Sequence, residues 1–220
     1  MGNSHQELVA PHAVNGTVAR KPSKPPLRRP NSEVRAREYL TDGEVARLIT
    51  AAGFNRHGHR DATMILLAYR HGLRAVELVT LRWDAIDYKH GRIHIRRAKQ
   101  GSEAVHPLSG RELRALRKLK RDQVPESPFV FTSERGAPFT TAGFRKLVAR
   151  LGVAAKLEFP VHPHMLRHAC GFHLANKGKD TRSLQAYLGH KNIQHTVRYT
   201  ELTPTRFKDF WDIDGRLRRV

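Results

Sequence analysis

Apolar residues recur at helical spacing along most of the chain, and this pattern restricts the fold more than any other feature. The first predicted helix begins at Thr41, which has capping-box spacing to Glu44. Its apolar face is formed by residues at i, i+3, i+4 and i+7: Val45, Leu48, Ile49 and Ala52. The same spacing predicts helices over residues 62–69, 75–81, 112–121 and 144–151, and from residue 164 almost to the end, with breaks at Gly178 and Gly189.

The spacing changes from helical to alternating at only one place. Residues Arg92–Ile95 alternate between polar and apolar side chains, which predicts a strand. Ala104 and Val105 form its predicted partner, and Gly101 lies in the turn between the two. One short hairpin among many helices indicates an α+β fold, a mainly helical domain with one small antiparallel sheet.

Charge and cysteine content narrow the function. Forty Lys and Arg residues against twenty Asp and Glu residues give a formal net charge of +20. The usual polyanionic partner of such a chain is nucleic acid, although a ribosomal-type protein or a binder of anionic membranes would share this charge. Cys170 is the only cysteine, so an intramolecular disulfide and a Cys-rich zinc site are excluded, which indicates a reducing, cytoplasmic setting.

Residues 1–37 have the composition of a basic, Pro-rich flexible tail. Prolines at five positions between 11 and 30 disfavour both helix and sheet, and seven Lys and Arg residues lie between positions 20 and 37. A solvated leader is the ordinary interpretation of this composition. A basic arm that contacts phosphates is the functional alternative.

The segment 162–168 concentrates side chains that suit a phosphate. If this segment opens a helix, His164 and Arg167 lie on one face, and an arginine can bind two phosphate oxygens at once. His164 and His168 also have the i, i+4 spacing of metal ligands, but the glutamate of the usual helical zinc motif is missing. Two ordinary, partly buried histidines are the third interpretation, and this segment alone does not separate the three.

Together with four further motifs or residues, this segment forms an ordered pattern that resembles that of the tyrosine recombinases, also called phage-type integrases. The pieces in order are Gly72-Leu73-Arg74-Ala75-Val76-Glu77-Leu78, Lys99 in the predicted hairpin, His164-Met165-Leu166-Arg167-His168, Leu188-Gly189-His190, and Tyr199 nine residues after His190. Residues 162–172, 174–176 and 195–200 resemble one subgroup, the fimbrial phase-variation invertases. The resemblance covers residues 38–213, which are therefore the expected catalytic domain, and residues 214–220 form a basic C-terminal tail.

The resemblance implies a strand-exchange reaction on DNA. Tyr199 would attack the scissile phosphorus and form a 3′-phosphotyrosyl link. His164 is the candidate base for the phenol, and Lys99 is the candidate proton donor to the leaving 5′-oxygen. Lys89 and Arg97 are the nearby cations that could be confused with Lys99. The reaction conserves phosphate ester bonds, so we expect no ATP, no metal and no other cofactor.

The same resemblance assigns the phosphate-binding residues. Arg74 and Arg167 would hold the non-bridging oxygens with permanently charged guanidinium groups, and His190 would donate a further hydrogen bond. Glu77 is expected to orient Arg74 or a histidine, and His168 is expected to support the site. Each residue also has an ordinary interpretation, since Arg74 and Glu77 at i, i+3 would make a helix salt bridge in any protein.

The expected partner is double-stranded DNA with inverted-repeat recombination sites, inside the bacterial cytoplasm at the nucleoid. Candidate DNA-binding residues lie on two predicted basic helices: Arg114, Arg117, Lys118, Arg121, Arg145 and Lys146. An apolar stripe of Phe207, Phe210 and Trp211 predicts a C-terminal helix, which would either pack on its own core or link neighbouring subunits in a homotetramer on DNA. DNA-bending accessory proteins are possible further partners.

Three other functions remain open at this level. A type IB-like topoisomerase would use the same chemistry to relax DNA without partner sites. A non-catalytic DNA-binding regulator could keep the fold, although the full set of Arg, Lys, His and Tyr residues argues against it. An RNA-binding basic protein would need an aromatic stacking platform, and only 7% of the residues are aromatic.

Overall fold

The computed structural model describes residues 37–97 and 103–201. The first part holds α1 (Asp42–Gly53), α2 (Gly58–Arg70), α3 (Ala75–Val79), a 3₁₀ turn (Trp83–Ala85), β1 (Ile86–Asp87) and β2 (Arg92–Ile95). The second part holds β3 (Ala104–Pro107), α4 (Gly110–Asp122), α5 (Thr141–Ala154), α6 (Pro163–Asn176), α7 (Thr181–Leu188) and α8 (Gln194–Glu201). The predicted α+β fold, mainly helical with one small antiparallel sheet, is confirmed.

Local signals in the sequence explain where the helices begin. Thr41 caps α1, and the reciprocal bonds of its capping box with Glu44 are both present. Ser109 and Glu112 make the same box at the start of α4, and Thr140 caps α5 through a bond from the Gly143 amide. Each cap satisfies backbone N–H groups that have no partner within the helix.

The sheet is a three-stranded antiparallel meander in the order β1-β2-β3. The register pairs Ile86 with Ile93 and Ile93 with His106, so this row of side chains faces the core. The predicted strand and its partner are confirmed, whereas β1 was not predicted, because two residues carry no periodic pattern. Gly101 lies outside the described residues.

The third helix is shorter than predicted and ends at Val79 instead of Leu81. The backbone explains the difference, because the Leu81 carbonyl accepts a hydrogen bond from the Val130 amide at 2.8 Å and Arg82 bridges to Phe129. Pairing with a distant segment therefore takes these residues out of the helix. Such a partner is invisible to local periodicity.

Helix α6 lies at the centre of the fold. It packs against α1, α2, α5, α7 and α8, and every residue from Met165 to Gly171 is buried. A helix buried nearly all round brings its polar side chains into the interior, where each must find a partner. Within the described residues, no helix combines the length and the apolar character that crossing a bilayer requires.

Candidate active site

The candidate site forms where two tight turns meet α6. Residues 71–74 join α2 to α3, and residues 188–190 form the turn at the end of α7. Gly72 and Gly189 both have left-handed backbone angles, with φ of +56° and +64°, which glycine adopts without a Cβ penalty. A Cβ on Gly72 would lie 2.5 Å from Cδ2 of Leu188, so the two turns are packed directly against each other.

Arg167 lies on α6 and links these two turns through its side chain. Its Nη1 donates to the Gly72 carbonyl at 2.5 Å and its Nη2 donates to the Leu188 carbonyl at 2.6 Å. Burial and the charges of Arg74 and Arg97 lower the pKa of Arg167 to about 10, so the guanidinium keeps its charge at neutral pH. Each Nη nitrogen carries a second N–H, which leaves donor capacity for an anion.

Glu77 faces the guanidinium groups of three arginines. Its Oε1 accepts from Arg74 Nη1 at 2.7 Å, and its Oε2 accepts from the Arg74 amide at 2.9 Å and from Arg97 Nη1 at 3.0 Å. Arg167 Nη1 lies 4.0 Å from the same carboxylate. Burial opposes ionisation, but the Arg74 amide and the charge of Arg97 outweigh it, so the pKa of Glu77 falls below its ordinary value. Three cations against one carboxylate leave a net positive site.

Tyr199 lies on α8 with its ring inside the protein, and only 1% of the residue is exposed. Its hydroxyl lies 2.7 Å from Nδ1 of His168, and its ring packs at a right angle to Phe172 with centroids 5.0 Å apart. The ring also lies directly over Gly171 of α6, where a Cβ would come within 2.8 Å of it. Burial raises the pKa of Tyr199, although the charges of Arg198 and Arg167 oppose this rise, so the phenol is protonated at neutral pH.

His168 is the imidazole in contact with the phenol oxygen. Burial, together with the nearby His164 and Arg198, lowers the pKa of His168 to about 2, so the ring is neutral. Arg198 lies against the same ring, with Nη2 2.7 Å from Nε2, and its guanidinium carbon is 5.2 Å from the Tyr199 ring centroid. A neutral imidazole is able to accept the phenol proton, and a nearby cation favours the phenolate that would result.

His164 packs against His168, and His190 lies near Tyr199. The His164 ring is perpendicular to that of His168 at 4.4 Å. His164 is exposed to solvent, yet desolvation by the surrounding protein and the charge of Arg167 lower its pKa to about 4. The His190 ring lies 6.3 Å from that of Tyr199, and burial followed by the charge of Arg167 lowers its pKa to about 3.

Thr196 fixes the orientation of His190. Its hydroxyl lies 2.8 Å from His190 Nδ1, and the residue is fully buried on α8. When the hydroxyl donates to Nδ1, the proton of the neutral imidazole is on Nε2. His190 then presents an N–H donor, which is the form that a phosphate oxygen needs.

The structure brings most of the predicted catalytic residues together. Arg74, Glu77 and Arg167 form one charged cluster, and His168 contacts Tyr199. The assignment of His164 as the base stays a prediction, because the imidazole seen on the Tyr199 oxygen is that of His168. Lys99 lies outside the described residues, as do Phe207, Phe210 and Trp211.

The six predicted DNA-binding residues are all exposed, on α4 and α5. Lys118 and Arg121 contact Asp122 at 2.5 and 3.5 Å, which offsets part of their charge. None of the six belongs to the contacts that build the charged cluster described above, and their role stays a prediction. In the stretches 37–97 and 103–201, no three His, Cys, Asp or Glu side chains are arranged as a set of metal ligands.

Sequence reasoning missed three members of the site. Arg97 looked like an alternative to the hairpin lysine, but its side chain is fully buried against Glu77. Arg198 and Thr196 precede Tyr199 on α8 and contact His168 and His190. Helical spacing from Tyr199 would have indicated Thr196 at i−3, whereas no local signal marks Arg97.

The family of the chain follows from comparison with known proteins. A model of the phage integrase family matches residues 38–206. The chain belongs to this family, the tyrosine recombinases. The expected family membership is thereby confirmed.

Individual relatives agree with this placement. The type 1 fimbriae regulatory protein FimE of Escherichia coli K12 is 41% identical over 83% of this chain and 97% of its own length. FimB of the same strain is 43% identical over 80% of this chain and 90% of its own length. The crystal structure of XerA recombinase superposes with a TM-score of 0.68 and 26% identity, covering 88% of this chain and 71% of that one. The expected resemblance to the fimbrial subgroup is also confirmed.

Proposed function

We propose that the protein is a site-specific DNA recombinase that cuts and rejoins strands through a 3′-phosphotyrosyl intermediate on Tyr199. One observation carries the proposal. A phenol hydrogen-bonded to a neutral imidazole lies beside a cluster of arginines, although these side chains come from turns and helices spread over residues 74–199. A nucleophile, a proton acceptor and fixed positive charge are what phosphoryl transfer needs.

Strand cleavage is the first of two transesterifications. The Tyr199 oxygen attacks the scissile phosphorus and loses its proton to an imidazole, which is His168 in the geometry described here. The bond from phosphorus to the 5′-oxygen breaks, and that oxygen takes up a proton, for which Lys99 is the expected donor. A second strand's 5′-hydroxyl then attacks the phosphotyrosyl phosphorus and releases Tyr199. Each step exchanges one ester bond for another, so no external energy source is required.

Arg74, Arg167 and His190 would stabilise the charge that accumulates on the non-bridging oxygens. Arg74 is partly exposed and Arg167 keeps unused N–H donors, so both are available to a phosphate. Burial, together with the charge of Arg167, lowers the pKa values of His168 and His190 in the free protein. A bound phosphate would offset the charge of Arg167 and raise both pKa values, so His168 becomes a better proton acceptor when substrate is present.

The fimbrial relatives point to the form of recombination. We infer that the protein inverts a DNA segment between inverted repeats and thereby regulates transcription of neighbouring genes, in the cytoplasm and at the nucleoid of a bacterium. Inversion requires four strand exchanges on two sites, which a homotetramer would perform. The apolar stripe of Phe207, Phe210 and Trp211 is our candidate for the subunit contact, and DNA-bending proteins would assist the assembly.

A trapping assay tests the chemistry. The protein and its Tyr199→Phe variant are incubated with nicked DNA that carries candidate inverted repeats, and the products are separated on a denaturing gel. We expect a slowly migrating covalent adduct with the unmodified protein and none with Tyr199→Phe. A chain that binds such DNA specifically without forming the adduct would instead be a non-catalytic regulator. Relaxation of supercoiled DNA that lacks these repeats would favour a topoisomerase.

A truncation tests the assembly. Removal of residues 204–220 deletes the apolar stripe and leaves Tyr199 in place. We expect the truncated chain to bind a single site but to lose the tetrameric complex on paired sites, as measured by sizing with light scattering. An unchanged tetramer would contradict a subunit contact through the C-terminal stripe.

A further inference from the structure

Arg97 is a buried cation that the mechanism above leaves without a role. It follows the end of β2, and its side chain is fully buried. Its Nη1 donates to Glu77 Oε2 at 3.0 Å. Its Nη2 donates to the His71 carbonyl at 3.3 Å and also to the Tyr187 carbonyl. These bonds direct the terminal nitrogens of Arg97 to a carboxylate and two backbone carbonyls, so its function is argued through the groups that it holds.

The contacts of Arg97 repeat those of Arg167 one residue earlier in each turn. Arg167 connects the carbonyls of Gly72 and Leu188, and Arg97 connects the carbonyls of the residues before them, His71 and Tyr187. Two guanidinium groups therefore link the same pair of turns side by side. One turn leads into Arg74 and the other leads into His190, so the two links fix the distance between a phosphate-binding arginine and a phosphate-binding histidine.

The surroundings of Arg97 are shaped to hold it. A Cβ on Gly189 would come within 2.7 Å of Arg97 Cγ, so the turn before His190 packs directly against the arginine stem. The His71 ring packs between Glu112, whose Oε1 is 3.0 Å from Nε2, and His106, whose Nδ1 is 3.2 Å from Nδ1 of His71. The acceptors of Arg97 are thus themselves fixed, which a positioning role requires.

The chemistry of the three acceptors explains why an arginine is present. Two carbonyls and one carboxylate lie around the group, and a planar guanidinium offers separate N–H donors to all three. A lysine ammonium is a point charge on a flexible stem and would not keep the same spacing. Arg97 also shares Oε2 of Glu77 with the Arg74 amide, so it determines the direction in which Glu77 presents its other oxygen to the Arg74 guanidinium.

We propose that Arg97 is a positioning residue for strand cleavage, which sets the separation of the Arg74 and His190 turns and the orientation of Glu77 without touching DNA. This inference rests on the proposed recombinase function. It predicts that loss of Arg97 slows the chemical step and leaves DNA binding unchanged. Displacements of about 1 Å in a catalytic arrangement cost on the order of 10²-fold in rate.

The test compares Arg97→Ala with Arg92→Ala, which removes the same charge from an exposed position at the start of β2. The rate constant for adduct formation on nicked DNA is measured at saturating DNA, and the half-saturating DNA concentration is measured separately. We expect Arg97→Ala to lower the rate constant about 10²-fold with unchanged half-saturation, and Arg92→Ala to keep the rate constant. Arg97→Lys should retain intermediate activity, and it carries the test if circular dichroism finds Arg97→Ala unfolded.

A double-mutant cycle with Glu77→Gln separates positioning from simple loss of folded protein. If Arg97 acts through Glu77, the double variant should be no slower than the worse single variant. A merely structural role would reduce the final amount of adduct while the rate constant stays unchanged, and this result would overturn the proposal. Equal rate constants for Arg97→Ala and unmodified protein would overturn it as well, with the recombinase function intact. Unmodified protein that binds its DNA without forming adduct would overturn both.

Discussion

Substitution of Gly171 by alanine tests whether the buried position of Tyr199 is its reactive position. Gly171 lies within α6, and an added Cβ would be 2.8 Å from Cε2 and Cζ of the Tyr199 ring. Carbon atoms in contact prefer a separation of about 3.5–4.0 Å. The ring must therefore move away by about 0.7–1.2 Å, because the alanine methyl group is fixed to the backbone of a central helix and cannot move itself.

That retreat acts directly on the bond between Tyr199 and His168. The hydroxyl lies 2.7 Å from Nδ1, and a shift of about 1 Å would lengthen this distance beyond hydrogen-bonding range. We expect the cleavage rate to fall on the order of 10²-fold. The fold should suffer less, because an overpacking cost of about 1–3 kcal/mol is partly offset by about 1 kcal/mol gained when alanine replaces a helical glycine.

The assay is adduct formation on nicked DNA at saturating concentration, with thermal unfolding measured on the same samples. Gly43→Ala in α1 is the matched control, since an added Cβ there meets nothing within 4 Å. It should keep the cleavage rate and hold or raise the melting temperature. A Gly171→Ala variant that cleaves at the unmodified rate would refute the reasoning, because Tyr199 would then have to leave this pocket before it attacks.

Three further predictions concern the base, the buried carboxylate and the DNA contact. His168→Gln should slow adduct formation by about 10²–10⁴-fold, and a comparable loss in His164→Gln with none in His168→Gln would return the base to His164. Burial of Glu112 is outweighed by its contact with His71 and by the hydrogen bonds that Ser109 donates to it, which together lower the pKa of Glu112 to about 2 from an ordinary 4.5. Its ionised form therefore stabilises the fold fully above pH 4.5, by about 3 kcal/mol, and this contribution is lost as the pH falls towards 2. Urea unfolding of Glu112→Gln should accordingly show a lower stability at pH 7 and a flatter acid limb, and an unchanged limb would contradict the assignment. If about 8 phosphates are contacted, the logarithm of the DNA-binding constant should fall with the logarithm of salt concentration at a slope of about −7, and a flat response in a gel-shift titration would argue against DNA as the partner.

The helices and the cap at Thr41 were predictable because their causes are local. An apolar face at helical spacing needs burial against something, and a capping residue satisfies backbone donors only a few positions away. Capping therefore depends little on tertiary contacts, and three helices are capped in this way, by Thr41, Ser109 and Thr140. The order of the motifs also indicated the family without any knowledge of the fold, since the motifs are short and continuous in sequence.

The tertiary structure alone decided which side chains meet. Leu81 lies outside its predicted helix because its carbonyl accepts a hydrogen bond from the backbone amide of Val130. The imidazole that contacts the Tyr199 hydroxyl is that of His168, one helical turn beyond His164, which the motif suggested as the base. Because α6 is buried on nearly all sides, residue spacing alone does not tell which of its faces points to Tyr199.

Arg97 shows the same limit most clearly. In sequence it is one of many basic residues in a chain of net charge +20, beside a hairpin where an exposed cation is ordinary. Its structural role depends on its hydrogen-bond partners Glu77, His71 and Tyr187, which lie 20, 26 and 90 positions away in the sequence. The sequence by itself determined the helices, the fold class and the order of the motifs, because these depend on spacing over a few residues. The pairing of buried charges depends on which distant segments come together, and only the folded chain decides that.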